Sequence, residues 1–233
     1  MTATLDLSRF DPFDPAEPYQ VLYREALEAA HQGRFDNLPK QLRFFILYQI
    51  ARDACRQNPS LDMVECGCFH GHSTYMLARV LQENGFEGQL HVFDAFEGGL
   101  SAFTAADESE FFQTDEQKAA ITHHFKSDRE QVIALLAPFK FVRFYPGWIP
   151  ERFNEVADRR LGFLSLDVDL YEPTRDSLSF FFPRLVEGGT VFLDDYGYYR
   201  TFPGARKAVD EYLAGVPHRH LLRMPLGGAI IIK

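Results

Sequence analysis

Val64-Glu65-Cys66-Gly67-Cys68-Phe69-His70-Gly71-His72-Ser73-Thr74 is the stretch that decides the fold. An apolar strand over Asp62–Glu65 runs into Gly67, and Ser73–Gln82 has the spacing of an amphipathic helix closed by Asn84-Gly85. Strand, glycine turn and helix N-terminus together form the usual cradle for a nucleotide-bearing cofactor. Outward from it the same rhythm repeats. Strands are expected at Gln89–Phe93, Lys140–Tyr145, Leu161–Leu166 and Thr190–Leu193. Helices are expected at 116–137, stopped by Pro138, at Pro150–Asp158, at Thr174–Leu185 before a Gly188-Gly189 turn, and at Gly204–Leu213. Leu221–Ile232 can close the chain as a hairpin. Alternating strands and helices predict an α/β fold, a mostly parallel sheet covered on both faces with a terminal antiparallel hairpin.

Before that core, Tyr19–Ala30 and Leu38–Arg56 have helical spacing, with Leu42, Phe45, Ile46 and Ile50 as the apolar stripe of the second. Residues 1–18 carry Asp-Pro pairs without periodicity and read as an extended arm or lid; 19–60 are N-terminal helices and 61–233 the α/β core. At 233 residues, with no repeat and no linker, a single domain is expected.

The glycine turn does not satisfy G-x-G-x-x-G, because Cys68 stands where the second glycine would let backbone approach a pyrophosphate. Glu65 adds a negative charge at the strand tip, which opposes a pyrophosphate and suits an ammonium. Asp94 ends the next strand, where an acid can accept from both ribose hydroxyls. S-adenosylmethionine carries an ammonium, a sulfonium and a ribose but no phosphate, so two acids and a glycine turn match it better than they match NAD. An NAD-dependent oxidoreductase and a non-catalytic nucleotide-binding module with the same fold are the alternatives.

Leu164-Ser165-Leu166-Asp167-Val168-Asp169-Leu170 and Val191-Phe192-Leu193-Asp194-Asp195 are two strands that each end in acids, one helix apart. As parallel neighbours they would deliver their carboxylates to the C-terminal edge of the sheet, where ligands bind in doubly wound folds. Carboxylates crowded there repel one another unless a cation intervenes. All-oxygen ligation favours Mg²⁺ or Ca²⁺ over zinc. Helix or turn capping is the other use of such acids. Since side chains on an ideal strand alternate, Asp167 and Asp169 are expected on one face. Haloacid dehalogenase-type phosphatases share the D-x-D and D-D pieces, but carry the first near the chain start and a Lys motif before the second; this chain does neither.

Taken in order, Glu65-x-Gly67 with Gly71-His72-Ser73, Asp94-Ala95-Phe96-Glu97-Gly98, Leu166 to Thr174, Gly188-Gly189, Asp194-Asp195-Tyr196-Gly197 and Gly204 to Glu211 resemble the macrocin O-methyltransferase family. The resemblance runs from about Val64 to Glu211. It implies a Rossmann-like class I methyltransferase fold and an S-adenosylmethionine- and Mg²⁺-dependent enzyme. Its methyl acceptor would be a hydroxyl of a sugar or other natural-product intermediate. Carried over by motif, Asp167, Asp194 and Asp195 would hold the metal and Asp169 would be the general base. Glu65, Gly67, Gly71, Ser73, Thr74 and Asp94 would line the cofactor site. His70 and His72 depart from the family, where Arg and Gly are common, as do Gly147–Arg152 and the loop 98–115.

Other residues read more plainly. His123-His124 are expected on an exposed helix face, and Arg206 and Asp210 as a surface ion pair. Trp148 could stack on a ring or pack the core, and Tyr196, Tyr198 and Tyr199 could shape an acceptor pocket or pack a loop. A net charge of −9 disfavours nucleic acid, and no apolar run approaches the ~18 residues of a membrane span. The start of the chain lacks the pattern of a signal peptide. Three cysteines without paired spacing read as reduced thiols in the cytoplasm. The expected partner is a small hydroxylated acceptor, and a homo-oligomer is compatible with this reading.

Overall fold

The computed structural model describes residues 14, 16–31, 33–198, 200–225 and 227–233. Most of the arm expected over 1–18 therefore lies outside the described residues. Seven strands form one sheet: β1 (Asp62–Cys66), β2 (Leu90–Asp94), β3 (Val142–Pro146), β4 (Leu161–Leu166), β5 (Leu185–Leu193), β6 (His220–Arg223) and β7 (Ala229–Ile232). Their order is β3-β2-β1-β4-β5-β7-β6. β1 to β5 run parallel, while β7 pairs antiparallel with both β5 and β6. The helices are α1 (Pro18–Ala29), α2 (Leu38–Gln57), α3 (His72–Glu83), α4 (Asp115–His124), α5 (Arg129–Leu136), α6 (Tyr171–Phe181) and α7 (Pro203–Ala214).

Strand alternation sorts the core into two layers. Met63, Leu90, Val92, Phe163 and Phe192 face α1, α2, α3 and α5. Val64, Cys66, Phe93, Leu164, Leu166, Val191 and Leu193 face α6 and α7. Every residue of β1 and of β4 is buried, as a central parallel strand requires. All three cysteines are unpaired and buried. Among the described residues no helix is long and apolar enough to cross a membrane.

Sequence order reverses between β1 and β4, the switch point where doubly wound sheets open a crevice. Gly67 and Asp167 leave these two strands side by side, with the Asp167 N–H donating to the Cys66 carbonyl at 2.9 Å. Gly67 has φ +85, and a Cβ built on it would stand 1.8 Å from the Asp167 carbonyl oxygen. Only glycine closes that turn.

Five expectations change. The helix expected over 116–137 is two helices. Thr114 and Gln117 form a capping box at the start of α4, and the Asp128 side chain caps α5 on the Gln131 N–H at 3.1 Å. Between them the Ser127 N–H donates to the Phe96 carbonyl, so the break docks on the turn after β2. The helix expected to reach Leu185 ends at Phe181, and Gly188-Gly189 lies inside β5, where the pairing with β4 shifts register. The helix expected over Pro150–Asp158 shrinks to a 3-10 turn at Phe153–Val156. On α2 the buried stripe is Phe44, Leu47, Ala51 and Cys55 rather than Leu42, Phe45, Ile46 and Ile50, which are partly buried against it. That phase follows from packing, since Phe44, Leu47, Ala51 and Cys55 join the same core cluster as Met76, Leu77 and Val80 of α3.

Candidate functional site

At the C-terminal edge of the sheet, residues from the turns after β1, β2, β3, β4 and β5 line one cavity of about 620 Å³. That is the range of small-molecule sites. Helix α2 and the loop after β2 wall its remaining sides.

The turn after β1 supplies Gly67, Cys68, Phe69 and Ser73 to the wall. Asp94 is its latch: Oδ2 accepts the N–H groups of Cys68 at 2.7 Å and Phe69 at 3.0 Å, and Oδ1 accepts that of Phe96 at 2.6 Å. One carboxylate thus joins the turns after β1 and β2 while lining the cavity. Glu65 lies beneath, 1% exposed, with Oε2 accepting the Thr74 hydroxyl at 2.5 Å and Oε1 unpartnered among the described residues. Burial pushes its pKa up to about 7. Of the six expected cofactor residues, Gly67, Ser73 and Asp94 line the cavity. Glu65 and Thr74 pair under the turn, and Gly71, with φ +83, starts α3.

The strands β4 and β5 bring Asp167, Asp194 and Asp195 together, with one carboxylate oxygen from each lying within 4.8 Å of the others. Burial and the mutual repulsion of these groups hold Asp167 and Asp195 well above the ordinary carboxylate range. Asp169 is outside that set. β4 ends at Leu166, so strand alternation no longer applies, and Asp169 takes φ +60. Its N–H donates to Asp195 Oδ2 at 2.9 Å. Its own carboxyl is 5% exposed, lines the cavity and is raised by burial and by Asp167.

Arg43 was not among the expected residues. It reaches from α2 to donate Nε to Asp194 Oδ1 at 2.8 Å and Nη1 to the Tyr198 hydroxyl. Lys40, one helical turn earlier, lines the same cavity, and burial lowers its pKa while Asp167 opposes that. The signal in the sequence was two basic residues spaced i, i+3 on a helix otherwise read for its apolar face. Tyr198 therefore shapes the site, whereas Tyr196 is buried with its hydroxyl on Asp210 at 2.7 Å. Tyr199 lies outside the described residues. Arg206 and Asp210 form the expected i, i+4 pair at 3.5 Å. His123 and His124 are exposed on α4 as expected, and His124 also reaches the cavity rim beside Phe35. His72 lines the cavity too, its ring tilted 35° against Phe44 with centroids 4.5 Å apart, and burial drops its pKa to about 3. Trp148 lines it over Gly98, whose missing side chain makes room: a Cβ there would meet the indole at 2.7 Å.

The donor set fits a hard divalent cation. Three carboxylates converge where their own charges are unfavourable, and Arg43 engages one of them. The half of the cavity around Gly67, Asp94 and Trp148 suits a ribose and a flat base better than a phosphate, since its fixed charge is negative.

The sequence model of the macrocin-O-methyltransferase (TylF) family matches residues 40–224, the span that carries all of these groups. The chain belongs to the macrocin-O-methyltransferase (TylF) family. A relative from Streptomyces olivaceus is 8-demethyl-8-(2,3-dimethoxy-alpha-L-rhamnosyl)-tetracenomycin-C 4'-O-methyltransferase. It is 31% identical over 156 residues, covering 65% of this chain and 57% of that one. Demethyldecarbamoylnovobiocin O-methyltransferase of Streptomyces niveus is 29% identical over 175 residues, 71% of this chain and 63% of the relative. The chain thus spans about three-fifths of the length of these two curated relatives. The solved O-methyltransferase NovP superposes with a TM-score of 0.64 at 26% identity, covering 82% of this chain and 79% of that one. The family match begins at Lys40, so the basic residues of α2 belong to the matched span together with the four carboxylates.

Proposed function

We propose that this macrocin-O-methyltransferase family member transfers a methyl group from S-adenosylmethionine to a hydroxyl of a small molecule, a sugar or natural-product intermediate, with Mg²⁺ as its metal. The observation that carries this reading is the convergence of three carboxylate oxygens in the same cavity as the Gly67–Asp94 cradle. The relatives' names support the acceptor class, because both act as O-methyltransferases on natural products. The unpaired, buried thiols fit a reducing compartment such as the cytoplasm.

S-adenosylmethionine supplies an electrophilic methyl on a sulfonium. A divalent ion held by Asp167, Asp194 and Asp195 would lower the pKa of a hydroxyl beside it. The chain's own residues do the rest. Asp94 holds the turns after β1 and β2 in register for the ribose. Asp169 takes the acceptor's proton on its carboxylate, placed by its N–H on Asp195. Arg43 orients Asp194 from the opposite wall, and positioning of the two reactants supplies much of the acceleration.

The test has two parts. In calorimetry, S-adenosylmethionine is expected to bind and NAD is not; NAD binding alone would overturn the cofactor. With methyl-labelled cofactor and rhamnosylated or aromatic polyketide acceptors, label transfer should stop in EDTA and return with Mg²⁺. Full transfer in chelator would overturn the metal.

A further inference from the structure

We infer that Asp107, a buried carboxylate outside the cavity, is a positioning residue for the Asp167–Asp169 turn. This rests on the reading of that turn as part of a metal-dependent site.

Asp107 is 1% exposed and sits on the loop between β2 and α4. Its Oδ2 accepts the Thr104 N–H at 2.9 Å and the Thr104 hydroxyl at 2.7 Å, which closes its own loop. Its Oδ1 crosses to the Tyr171 N–H at 2.7 Å. Tyr171 is the first residue of α6, and the residue before it, Leu170, has no side chain to cap the helix. A carboxylate far away in sequence therefore does what an N-cap normally does. A negative charge at that helix end is also favoured by the helix dipole.

The consequence falls on the upstream turn, which runs from Asp167, one of the three converging carboxylates, to Asp169. Asp169 holds φ +60, a conformation that non-glycine residues keep only where their surroundings over-determine it. One restraint is the Asp169 N–H on Asp195. The other is Asp107, which fixes the chain where it enters α6. Between them Leu170 is fully buried beside Leu100, Phe112 and Phe202. Leu100 also lines the cavity, so the loop that carries Asp107 packs, through Leu170, against the turn that carries Asp169. Gly204, at the start of α7, closes the pocket: a Cβ there would stand 1.8 Å from Asp107 Oδ1 and 2.8 Å from the Tyr171 nitrogen.

The test reads Mn²⁺ binding by electron paramagnetic resonance and exchange of the Tyr171 amide in the wild type. Asp107→Ala and Gly204→Ala should each weaken Mn²⁺ binding about tenfold, the size of effect that loss of one charge-assisted hydrogen bond produces. Asp107→Asn keeps a carbonyl oxygen for the Tyr171 N–H but turns an amide NH2 toward the Thr104 N–H, and should recover part of the affinity, whereas Asp107→Leu, which fills similar space with no acceptor, should recover none. The Tyr171 amide, in a position that ordinarily exchanges freely, should be protected in the unmodified protein, so the inference stays open to refutation if a variant fails to fold. An unprotected Tyr171 amide, or wild-type Mn²⁺ affinity in Asp107→Ala and Gly204→Ala, would overturn it. Absence of Mn²⁺ binding by the wild type would fall on the proposed function instead.

Discussion

Asp169→Asn should lower turnover by about 10²- to 10⁴-fold, the usual contribution of a positioned general base, while leaving cofactor and cation affinity almost unchanged. The asparagine keeps the size of the side chain and the backbone N–H that donates to Asp195 at 2.9 Å. The pH profile supplies the second half of the expectation. Burial, the largest cause, holds the Asp169 pKa above the ordinary carboxylate range, while a cation on Asp167 and Asp194 would offset the charges that add to it. Wild-type activity should therefore fall as pH drops through that raised value, because the protonated acid cannot accept the acceptor's proton. In the variant this acid limb should vanish and the residual rate should rise with pH as hydroxide takes over. Steady-state rates across pH, at saturating Mg²⁺, check both points. If added Mg²⁺ restores the variant and added base does not, Asp169 is a ligand and the proton goes elsewhere.

Gly67→Ala should destabilise the protein by roughly 2–5 kcal/mol, combining the cost of a left-handed backbone with the overpacking that an added methyl forces on a tight contact. The new Cβ would meet the Asp167 carbonyl oxygen at 1.8 Å and its carbon at 2.8 Å. Relief requires the turns after β1 and β4 to separate, so cofactor affinity and cation affinity should fall together. Gly85→Ala is the control: Gly85 has φ +73 but nothing within 4 Å of a built Cβ, so only the backbone cost, about 1–2 kcal/mol, applies. Urea unfolding of both variants and calorimetry with S-adenosylhomocysteine make the comparison. Equal losses in the two would show that the contact with Asp167 carries no weight.

The fold was legible because its strands are short apolar runs that end in glycine or acid, a pattern local in sequence. Asp94, Asp167, Asp194 and Asp195 end their strands as read, and parallel pairing of β4 with β5 brings the last three together. What could not be read depended on contacts remote in sequence. Arg43 meets Asp194 from a helix whose rotation follows from packing on α3, and the same packing sets the phase of the α2 stripe. The helix over 116–137 broke because Phe96, far upstream, accepts the Ser127 N–H. Asp169 lines the same cavity as Asp167, as expected, but on a left-handed turn three residues past the strand end, a boundary that apolar patterning does not fix. Gly188-Gly189 looked like a turn but serves as an irregularity inside β5.

The most direct test of the account is to locate the cation. In crystals grown with Mn²⁺ and S-adenosylhomocysteine, anomalous diffraction should place one strong manganese peak among the carboxylates of Asp167, Asp194 and Asp195, with the cofactor on the Gly67–Asp94 side of the same cavity. A manganese peak elsewhere, or no peak between these three residues at saturating Mn²⁺, would contradict it.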